Sequence, residues 1–267
     1  MKTTVNGIAV NYRVDGVTDG PWVTFSNSLL TDLSIWDDQV AALADRYRIL
    51  RYDHRGHGDT EATTGRYSFD LLTDDAVALL DALSIEQTHF VGISMGGTTG
   101  ALVAARHPDR IQTLTMCDCQ PRSTPASQVL WQDRYELAQL KGLEPLIEPT
   151  LTRWFAEDFL TASPARAAHL RTMMAKTSLD GYLGSVAALQ DYDLRSTLAE
   201  LALPMLLLAG SNDGNAPEVL QELSTRLPDA KFAVVPNAGH ISNVEGSAQF
   251  TTLLFEFLDD HTKGATR

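Results

Sequence analysis

The sequence is short of positive charge and of long apolar runs, and each shortage excludes a class of protein. Its 267 residues include 21 Lys and Arg against 34 Asp and Glu, which gives a formal net charge of −13. A chain this acidic repels phosphate groups, which excludes proteins that coat nucleic acid or an anionic membrane. No apolar run approaches the ~20 residues that a membrane-spanning helix requires. The first residues also lack the apolar stretch of a secretory signal, so we expect no signal peptide.

Cysteine is scarce as well. The two cysteines, Cys117 and Cys119, lie two positions apart, too close for a relaxed disulfide. A chain without a disulfide framework is typical of a reducing compartment, so we expect a cytoplasmic protein. Neither cysteine belongs to a spaced set of metal ligands, and no pair of histidines has metal-ligand spacing beside a carboxylate. We therefore expect no metal site.

Apolar strand-like segments alternate with helix-like segments over most of the chain. Hydrophobic residues recur at helical spacing over 71–83, whereas the short apolar runs 88–91, 111–117 and 205–209 are typical of buried strands. This alternation predicts an α/β fold, in which helices flank a mostly parallel central sheet on both faces. A hairpin around Asn6-Gly7 is expected to precede it.

The rhythm changes between residues 121 and 196, where helix-like stretches occur without a convincing strand. We therefore divide the chain into an α/β core of residues 1–120 and 197–267 and an inserted helical cap subdomain of residues 121–196. The cap segment holds 8 basic and 9 acidic residues, a net charge of −1. The other segments thus carry −12 of the total of −13, and the cap is the less acidic part.

The strongest chemical signal is the segment Gly92–Gly97 (GISMGG), which follows a predicted strand and opens a predicted helix. A serine at such a sharp turn has a strained backbone, and the flanking glycines leave it the room it needs. The N-terminus of the following helix favours a developing negative charge. This context favours Ser94 as a catalytic nucleophile over an incidental serine in a glycine-rich turn.

A nucleophilic serine needs a base, and the base needs an orienting carboxylate. In this architecture the acid precedes the histidine along the chain. Asp213 and His240 each follow a predicted strand, at the sheet edge where α/β proteins build their sites. Asp118, directly after the strand 111–117, is an alternative acid, and we favour Asp213.

Acyl transfer also needs two backbone donors for the oxyanion. The first donor is expected to be the N–H of Met95, directly after the nucleophile. The second should come from the loop after the strand 22–25, where we assign the N–H of Leu29. The alternative is that this loop's polar residues, Ser26 and Asn27, only satisfy its backbone groups.

Together these segments resemble the α/β-hydrolase superfamily and, within it, the 3-oxoadipate enol-lactonases. The serine turn is typical of the whole superfamily. The loop after the strand 22–25 and the run after His240 are more specific and resemble those of the lactonase group. The resemblance departs where Leu30 replaces an expected glycine and where Cys117–Gln120 replaces a Cys-Asn-Thr type of run. The segments that carry it are Ser26–Leu29, Thr31–Ser34, Trp36, Leu50–Asp53, Arg55–Gly58, Gly92–Gly97, Ala104–His107, Arg153–Phe155 and Gly239–Glu245.

The resemblance implies the α/β-hydrolase fold and a catalytic triad of Ser94, Asp213 and His240. It also implies a small carboxylated lactone as substrate, no cofactor, and a place in the β-ketoadipate pathway of aromatic catabolism. Carboxylesterases, amidases and carbon–carbon bond hydrolases share the scaffold and remain alternatives, as does a receptor that binds without turnover.

An anionic substrate conflicts with the net charge of −13, so a local cation is expected. Arg134 and Arg153 of the cap are the candidates for contact with a substrate carboxylate, beside Trp131 and Trp154. The alternative is that the arginines are solvated surface residues and the tryptophans pack the cap.

Overall fold

The computed structural model describes residues 1–262, and an eight-stranded sheet lies at its centre. In chain order the strands are β1 (Lys2–Val5), β2 (Ile8–Gly16), β3 (Trp22–Ser26), β4 (Arg48–Tyr52), β5 (Thr88–Ile93), β6 (Ile111–Cys117), β7 (Met205–Gly210) and β8 (Ala230–Val235). Across the sheet their order is β1-β2-β4-β3-β5-β6-β7-β8. Only the pairs β1–β2 and β2–β4 of these described strands are antiparallel.

Helices lie on both faces of this sheet. They are α1 (Asp37–Leu43), α2 (Phe69–Ala82), α3 (Met95–Arg106), α4 (Pro125–Lys141), α5 (Glu144–Trp154), α6 (Glu157–Ala162), α7 (Pro164–Lys176), α8 (Leu179–Gln190), α9 (Arg195–Ala199), α10 (Ala216–Ser224), α11 (Ser242–Glu245) and α12 (Ser247–Thr262). Apolar side chains of α1 and α12 pack in one core cluster, those of α10 pack in a second, and α2 and α3 contribute side chains to both. None of the helices in the described chain is long and apolar enough to cross a membrane.

The central strands are almost completely buried because both faces of the sheet are covered there. Every residue of β5 and of β7 is buried, whereas most residues of the edge strand β8 are at least partly exposed. The parallel register pairs Ile93 with Cys117, Cys117 with Leu208, and Gly210 with Val235. The carboxyl ends of β5 to β8 therefore meet at one edge of the sheet, and the loops that follow them lie side by side.

The sequence predictions of a mostly parallel sheet flanked by helices, and of the first hairpin, are confirmed. The start of one helix differs from the prediction because a side chain caps it. Helix α2 begins at Phe69, before the first predicted residue Leu71, because the Ser68 side chain accepts the N–H of Leu71.

Helices α4 to α9 lie between β6 and β7, as the helical pattern of the inserted segment suggests. Thr124 and Ser127 cap each other's backbone at the start of α4. The last helix, α9, crosses the expected boundary at residue 196 and packs against α3 of the core. The division into core and cap at that residue stays a prediction.

Candidate active site

Ser94 occupies the sharp turn between β5 and α3. Its φ of 54° and ψ of −116° are rare for an L-residue. Hydrogen bonds hold this conformation: the Ser94 N–H donates to the Cys117 carbonyl at 2.7 Å, and the N–H of Gly97 donates to the Ser94 carbonyl at 3.0 Å. The side chain consequently faces the cavity above the carboxyl edge of the sheet.

The glycines on either side of Ser94 are required by close backbone contacts. A Cβ atom at Gly92 would overlap the carbonyl of Gly96, and one at Gly96 would overlap the carbonyl of Ser26. The turn can therefore approach both α3 and the loop after β3 only because these positions lack side chains.

Ser94, His240 and Asp213 form a continuous hydrogen-bonded relay. The Nε2 atom of His240 lies 3.0 Å from the Ser94 Oγ, and its Nδ1 lies 3.0 Å from the Asp213 Oδ2. Because an ionised carboxylate only accepts hydrogen bonds, Nδ1 carries the ring proton and donates a hydrogen bond to Asp213. The Nε2 lone pair of the neutral ring is thereby directed at the Ser94 hydroxyl, as a general base requires.

The pKa of His240 is set by opposing influences. Burial alone lowers it, but the charge and hydrogen bond of Asp213 raise it, and the more distant Asp118 raises it further. Arg153 acts in the lowering direction, and the net result is a raised pKa. The carboxylates thus favour the protonated, imidazolium form of His240.

Asp118, the alternative acid of the sequence analysis, makes different contacts. Its Oδ1 accepts the N–H of Gly210 at 2.7 Å, and its Oδ2 accepts the hydroxyl of Ser242. The side chain is buried, and burial together with the nearby Asp213 raises its pKa. The hydrogen bond to the His240 ring is made by Asp213.

Helix α5 holds the histidine loop from the side of the cavity. The N–H of His240 donates to the Trp154 carbonyl at 2.9 Å, and the two rings pack with their centroids 5.4 Å apart. Glu245 joins the same two segments, because its Oε2 accepts the N–H of Gly239 at 2.6 Å and its Oε1 accepts that of Ala156 at 2.8 Å. The imidazole is therefore positioned by the inserted helices as well as by the sheet.

Leu29 and Met95, the expected oxyanion donors, both lie near Ser94. Leu29 lines the cavity with Ser94, and Met95 is the first residue of α3. Neither N–H has a hydrogen-bond acceptor among residues 1–262. The loop that bears Leu29 is fixed by Asn27, whose Oδ1 accepts the Trp36 indole N–H at 2.9 Å.

Leu30, which departs from the family pattern, has a φ of 60° in the left-handed region. This explains why glycine suits the position, since glycine adopts positive φ without a steric penalty. In this chain the buried leucine side chain packs in the core cluster beside Phe25 and Trp36. Packing at this position thus offsets backbone strain.

A cavity of about 580 Å³ opens above the relay, between the sheet edge and α4, α5 and α8. All the expected substrate-contact residues line it: Trp131, Arg134, Arg153 and Trp154. Met95 is fully buried behind it. A wider groove of about 990 Å³ lies elsewhere, beside His261 and Arg106, with Arg106 paired to Asp70 and Asp74.

Three arginines line the cavity, and none forms a salt bridge among residues 1–262. Arg134 is half-buried, donates to the Tyr182 hydroxyl at 3.2 Å, and lies over the Trp131 ring at 5.9 Å. Arg153 and Arg122 are exposed. The sequence analysis missed Arg122, because no local pattern marks it and only the fold brings it to the cavity.

The comparison with known proteins agrees with this geometry. Residues 21–247 match the family described as alpha/beta hydrolase fold. The chain belongs to the α/β-hydrolase family. It is therefore a hydrolase, and the resemblance seen in its sequence is confirmed.

Within this family, the chain is similar over nearly its whole length to several enol-lactonases. The 3-oxoadipate enol-lactonase 2 of Acinetobacter baylyi is 36% identical over 256 residues, and the match covers 92% of either chain. The 3-oxoadipate enol-lactonase 1 of the same organism is 32% identical over 258 residues, which are 97% of this chain and 96% of that one. The crystal structure of the enol-lactonase from Burkholderia xenovorans LB400 superimposes with a TM-score of 0.93 at 37% identity, covering 97% of this chain and 100% of that chain.

Proposed function

We propose that this hydrolase opens a small lactone that bears a carboxylate, 3-oxoadipate enol-lactone, through an acyl-enzyme on Ser94. The observation that carries the proposal is the relay from Ser94 through His240 to Asp213, at 3.0 Å in both steps, inside a cavity lined by unpaired arginines. The substrate class is supported by the two enol-lactonases of Acinetobacter baylyi and by that of Burkholderia xenovorans.

The acylation step follows from the direction of the hydrogen bonds. His240 Nε2 takes the proton of the Ser94 hydroxyl while Oγ attacks the lactone carbonyl. The oxyanion is stabilised by the N–H groups of Leu29 and Met95. The ring oxygen then leaves as an enol, protonated by His240, and tautomerises to a ketone.

Deacylation repeats these steps with water. His240 removes a proton from a water molecule, which attacks the acyl carbonyl. The imidazolium then returns the proton to the Ser94 Oγ as the carbon–oxygen bond breaks and the carboxylic acid leaves. Asp213 keeps the proton on Nδ1 and stabilises the imidazolium in both half-reactions. The net reaction adds one water across the lactone and uses side chains and backbone donors alone.

The arginines of the cavity support an anionic substrate. An unpaired, partly desolvated guanidinium is a site for a carboxylate, which it binds by charge-assisted and often bidentate hydrogen bonds. Arg134 is already oriented by Tyr182 and Thr150 and stands over an aromatic face, so little side-chain entropy is lost on binding. We assign the substrate carboxylate to Arg134, with Arg153 nearer to His240.

The proposal also includes a division of labour within the chain. The segment 121–196 acts as a cap that selects the substrate, while the residues on either side of it carry the chemistry. The protein acts in the cytoplasm on a small molecule.

A substrate panel tests the proposal. Steady-state kinetics with 3-oxoadipate enol-lactone, neutral lactones, aryl acetates and amides should give the highest kcat/KM for the carboxylated lactone. Ser94→Ala should remove that activity. Preference for a neutral ester or an amide would assign the site to a carboxylesterase or an amidase, and binding without turnover would indicate a receptor.

A further inference from the structure

One buried carboxylate at the site takes no part in the hydrolysis described above. Asp118 follows β6 with a φ of 48°, and 1% of its surface is exposed. Burial of a carboxylate is unfavourable unless hydrogen bonds replace its hydration. The partners of its two oxygens therefore indicate why the residue is tolerated there.

The two oxygens of Asp118 bind two different loops. Oδ1 accepts the N–H of Gly210, where the loop that carries Asp213 begins. Oδ2 accepts the hydroxyl of Ser242, where the loop that carries His240 ends. A side chain on a third strand thus joins one end of each loop.

We propose that Asp118 is a positioning residue that ties the Asp213 loop to the His240 loop and so keeps the imidazole aligned with Ser94. The proposal rests on the hydrolytic relay proposed above. The Asp118 backbone is fixed in turn, because its N–H donates to the Leu208 carbonyl at 2.9 Å. The left-handed backbone at this position directs the side chain towards both loops.

The two loops also bond to each other, through the N–H of Asn212 and the Ala238 carbonyl at 2.8 Å. That contact sets their separation, whereas Asp118 links both of them to the sheet beside the strand that bears Ser94. Loss of the tie is therefore expected to disturb the imidazole relative to Ser94 more than relative to Asp213.

The charged and titratable groups around the imidazole come from three elements. His240 faces Asp213 and Asp118 from the ends of β7 and β6, and Arg153 from α5. Asp118 itself faces Asp213, His240 and the buried thiols of its neighbours on the chain. Burial and Asp213 raise the pKa of Asp118 to about 8, so its carboxyl carries little charge where the imidazole titrates, and its effect on alignment comes from its hydrogen bonds.

The experiment compares Asp118→Ala, Asp118→Asn and Ser242→Ala with the wild type, using a neutral aryl acetate. Thr115→Val on the same strand is the matched control, since the buried Thr115 hydroxyl has no hydrogen-bond partner in the described chain. Asp118→Ala should lower kcat by about 10-fold or more with KM changed by less than about 2-fold, since misalignment affects the reacting groups. Thr115→Val should keep kcat.

Asp118→Asn should recover most of the lost kcat. Its amide oxygen can accept the Gly210 N–H and its NH₂ can donate to Ser242, so the tie is kept without the charge. The acid limb of its kcat/KM profile should stay near that of the wild type, because the raised pKa of Asp118 leaves little charge to remove there. The kcat of the double variant Asp118→Ala with Ser242→Ala should be no lower than that of Asp118→Ala alone, because both changes remove the same Asp118–Ser242 hydrogen bond.

Two results would overturn the proposal. One is a folded Asp118→Ala enzyme with kcat within about 2-fold of the wild type, a smaller loss than misalignment of the reacting groups produces. The other is a loss in Asp118→Asn as large as that in Asp213→Asn, which would make Asp118 the acid itself. If Asp118→Ala does not fold, Ser242→Ala decides: a several-fold fall in kcat at constant KM supports the tie, and an unchanged kcat rejects it.

Failure of the proposed function would look different. A wild-type enzyme that turns over neither the aryl acetate nor the enol-lactone would reject hydrolysis by the relay. NMR spectra of the His240 ring in the wild type, Asp118→Ala and Asp118→Asn test the tie without turnover: the ring resonances should shift in Asp118→Ala and stay near those of the wild type in Asp118→Asn. Unchanged resonances in a folded Asp118→Ala would contradict the tie.

Discussion

At the scale of single residues, the site depends on how an imidazole is kept basic inside a cavity. Burial lowers the pKa of His240, and the Asp213 carboxylate raises it to a net value above its ordinary 6.5. The same carboxylate fixes the tautomer that leaves Nε2 free to accept a proton. The Asp213 carboxylate therefore both raises the basicity of the His240 imidazole and fixes its orientation.

The pH dependence of the reaction follows from this balance. Because the base must be neutral, kcat/KM should rise with pH through the pKa of His240, with the acid limb above 6.5. Asp213→Asn should move the limb to lower pH and reduce kcat about 10⁴-fold, since the charge and the correct tautomer are both lost. A pH profile with an aryl acetate checks this; a wild-type limb at or below the ordinary value would contradict it.

Arg134 should determine affinity for the substrate carboxylate. Arg134→Ala should raise KM for 3-oxoadipate enol-lactone roughly 10- to 100-fold, the loss expected for charged hydrogen bonds, and leave KM for a neutral aryl acetate unchanged. Arg171→Ala is the matched control, because it removes a charge from an exposed residue of the inserted segment that pairs with Glu148 away from the cavity. An equal rise in KM in both variants would show that the effect comes from the loss of a positive charge at long range, and not from a contact between Arg134 and the substrate.

At the scale of elements, the histidine loop is held between the sheet and α5. The carboxylate of Glu245 accepts the N–H groups of Gly239 and Ala156, and the Trp154 carbonyl accepts that of His240. Helix α5 therefore couples the inserted segment to the His240 imidazole.

Glu245→Ala should loosen that coupling. The loss of two charge-assisted hydrogen bonds should destabilise the protein by about 1–3 kcal/mol and lower kcat several-fold. Glu245→Gln should have a smaller effect, because its amide oxygen can still accept one N–H. Urea unfolding and kcat measurements test this, with Glu256→Ala on the exposed side of α12 as control. Identical results for both alanine variants would rule out the coupling.

The elements were predictable from the sequence because their physics is local. The apolar runs of β5 and β7 reflect burial on both faces, and the helical spacing of α2 reflects burial on one. Ser94 was predictable for a related reason, since its strained turn requires glycines close by in the chain. The strand-end loops likewise indicated Asp213 and His240.

The remaining features depend on contacts between distant segments. Nothing local distinguishes Arg122 from a surface arginine, and its place at the cavity comes from the packing of the inserted helices. Asp118 has two hydrogen-bond partners, Gly210 and Ser242, and both lie far from it in the sequence. They come close to Asp118 only because β6, β7 and β8 are neighbours in the sheet. Glu245 depends in the same way on α5.

At the scale of the whole molecule, core and inserted helices share one apolar cluster. Leu151 and Tyr182 of the inserted segment belong to the same buried cluster as Phe25, Trp36 and Phe250. Neither part has a separate interior at this face. The shared cluster predicts that the two parts unfold together.

We therefore expect one cooperative unfolding transition in urea. Far-UV circular dichroism and tryptophan fluorescence should give the same midpoint, as two-state unfolding requires. Variants that keep Trp36 or Trp154 as their single tryptophan, with the other three of the four changed to Phe, report on the core and on the inserted helices separately. A transition of the Trp154 signal at lower urea than that of Trp36 would show that the cap unfolds on its own.

The central claim is that Ser94, activated by His240, forms the covalent intermediate. Intact-protein mass spectrometry after rapid quenching with 3-oxoadipate enol-lactone tests it most directly, with peptide mapping to locate the adduct. The account predicts one acyl group on Ser94 in the wild type and none in Ser94→Ala, which should also lose at least about 10⁴-fold in kcat. An adduct on another residue, or full activity in Ser94→Ala, would contradict it.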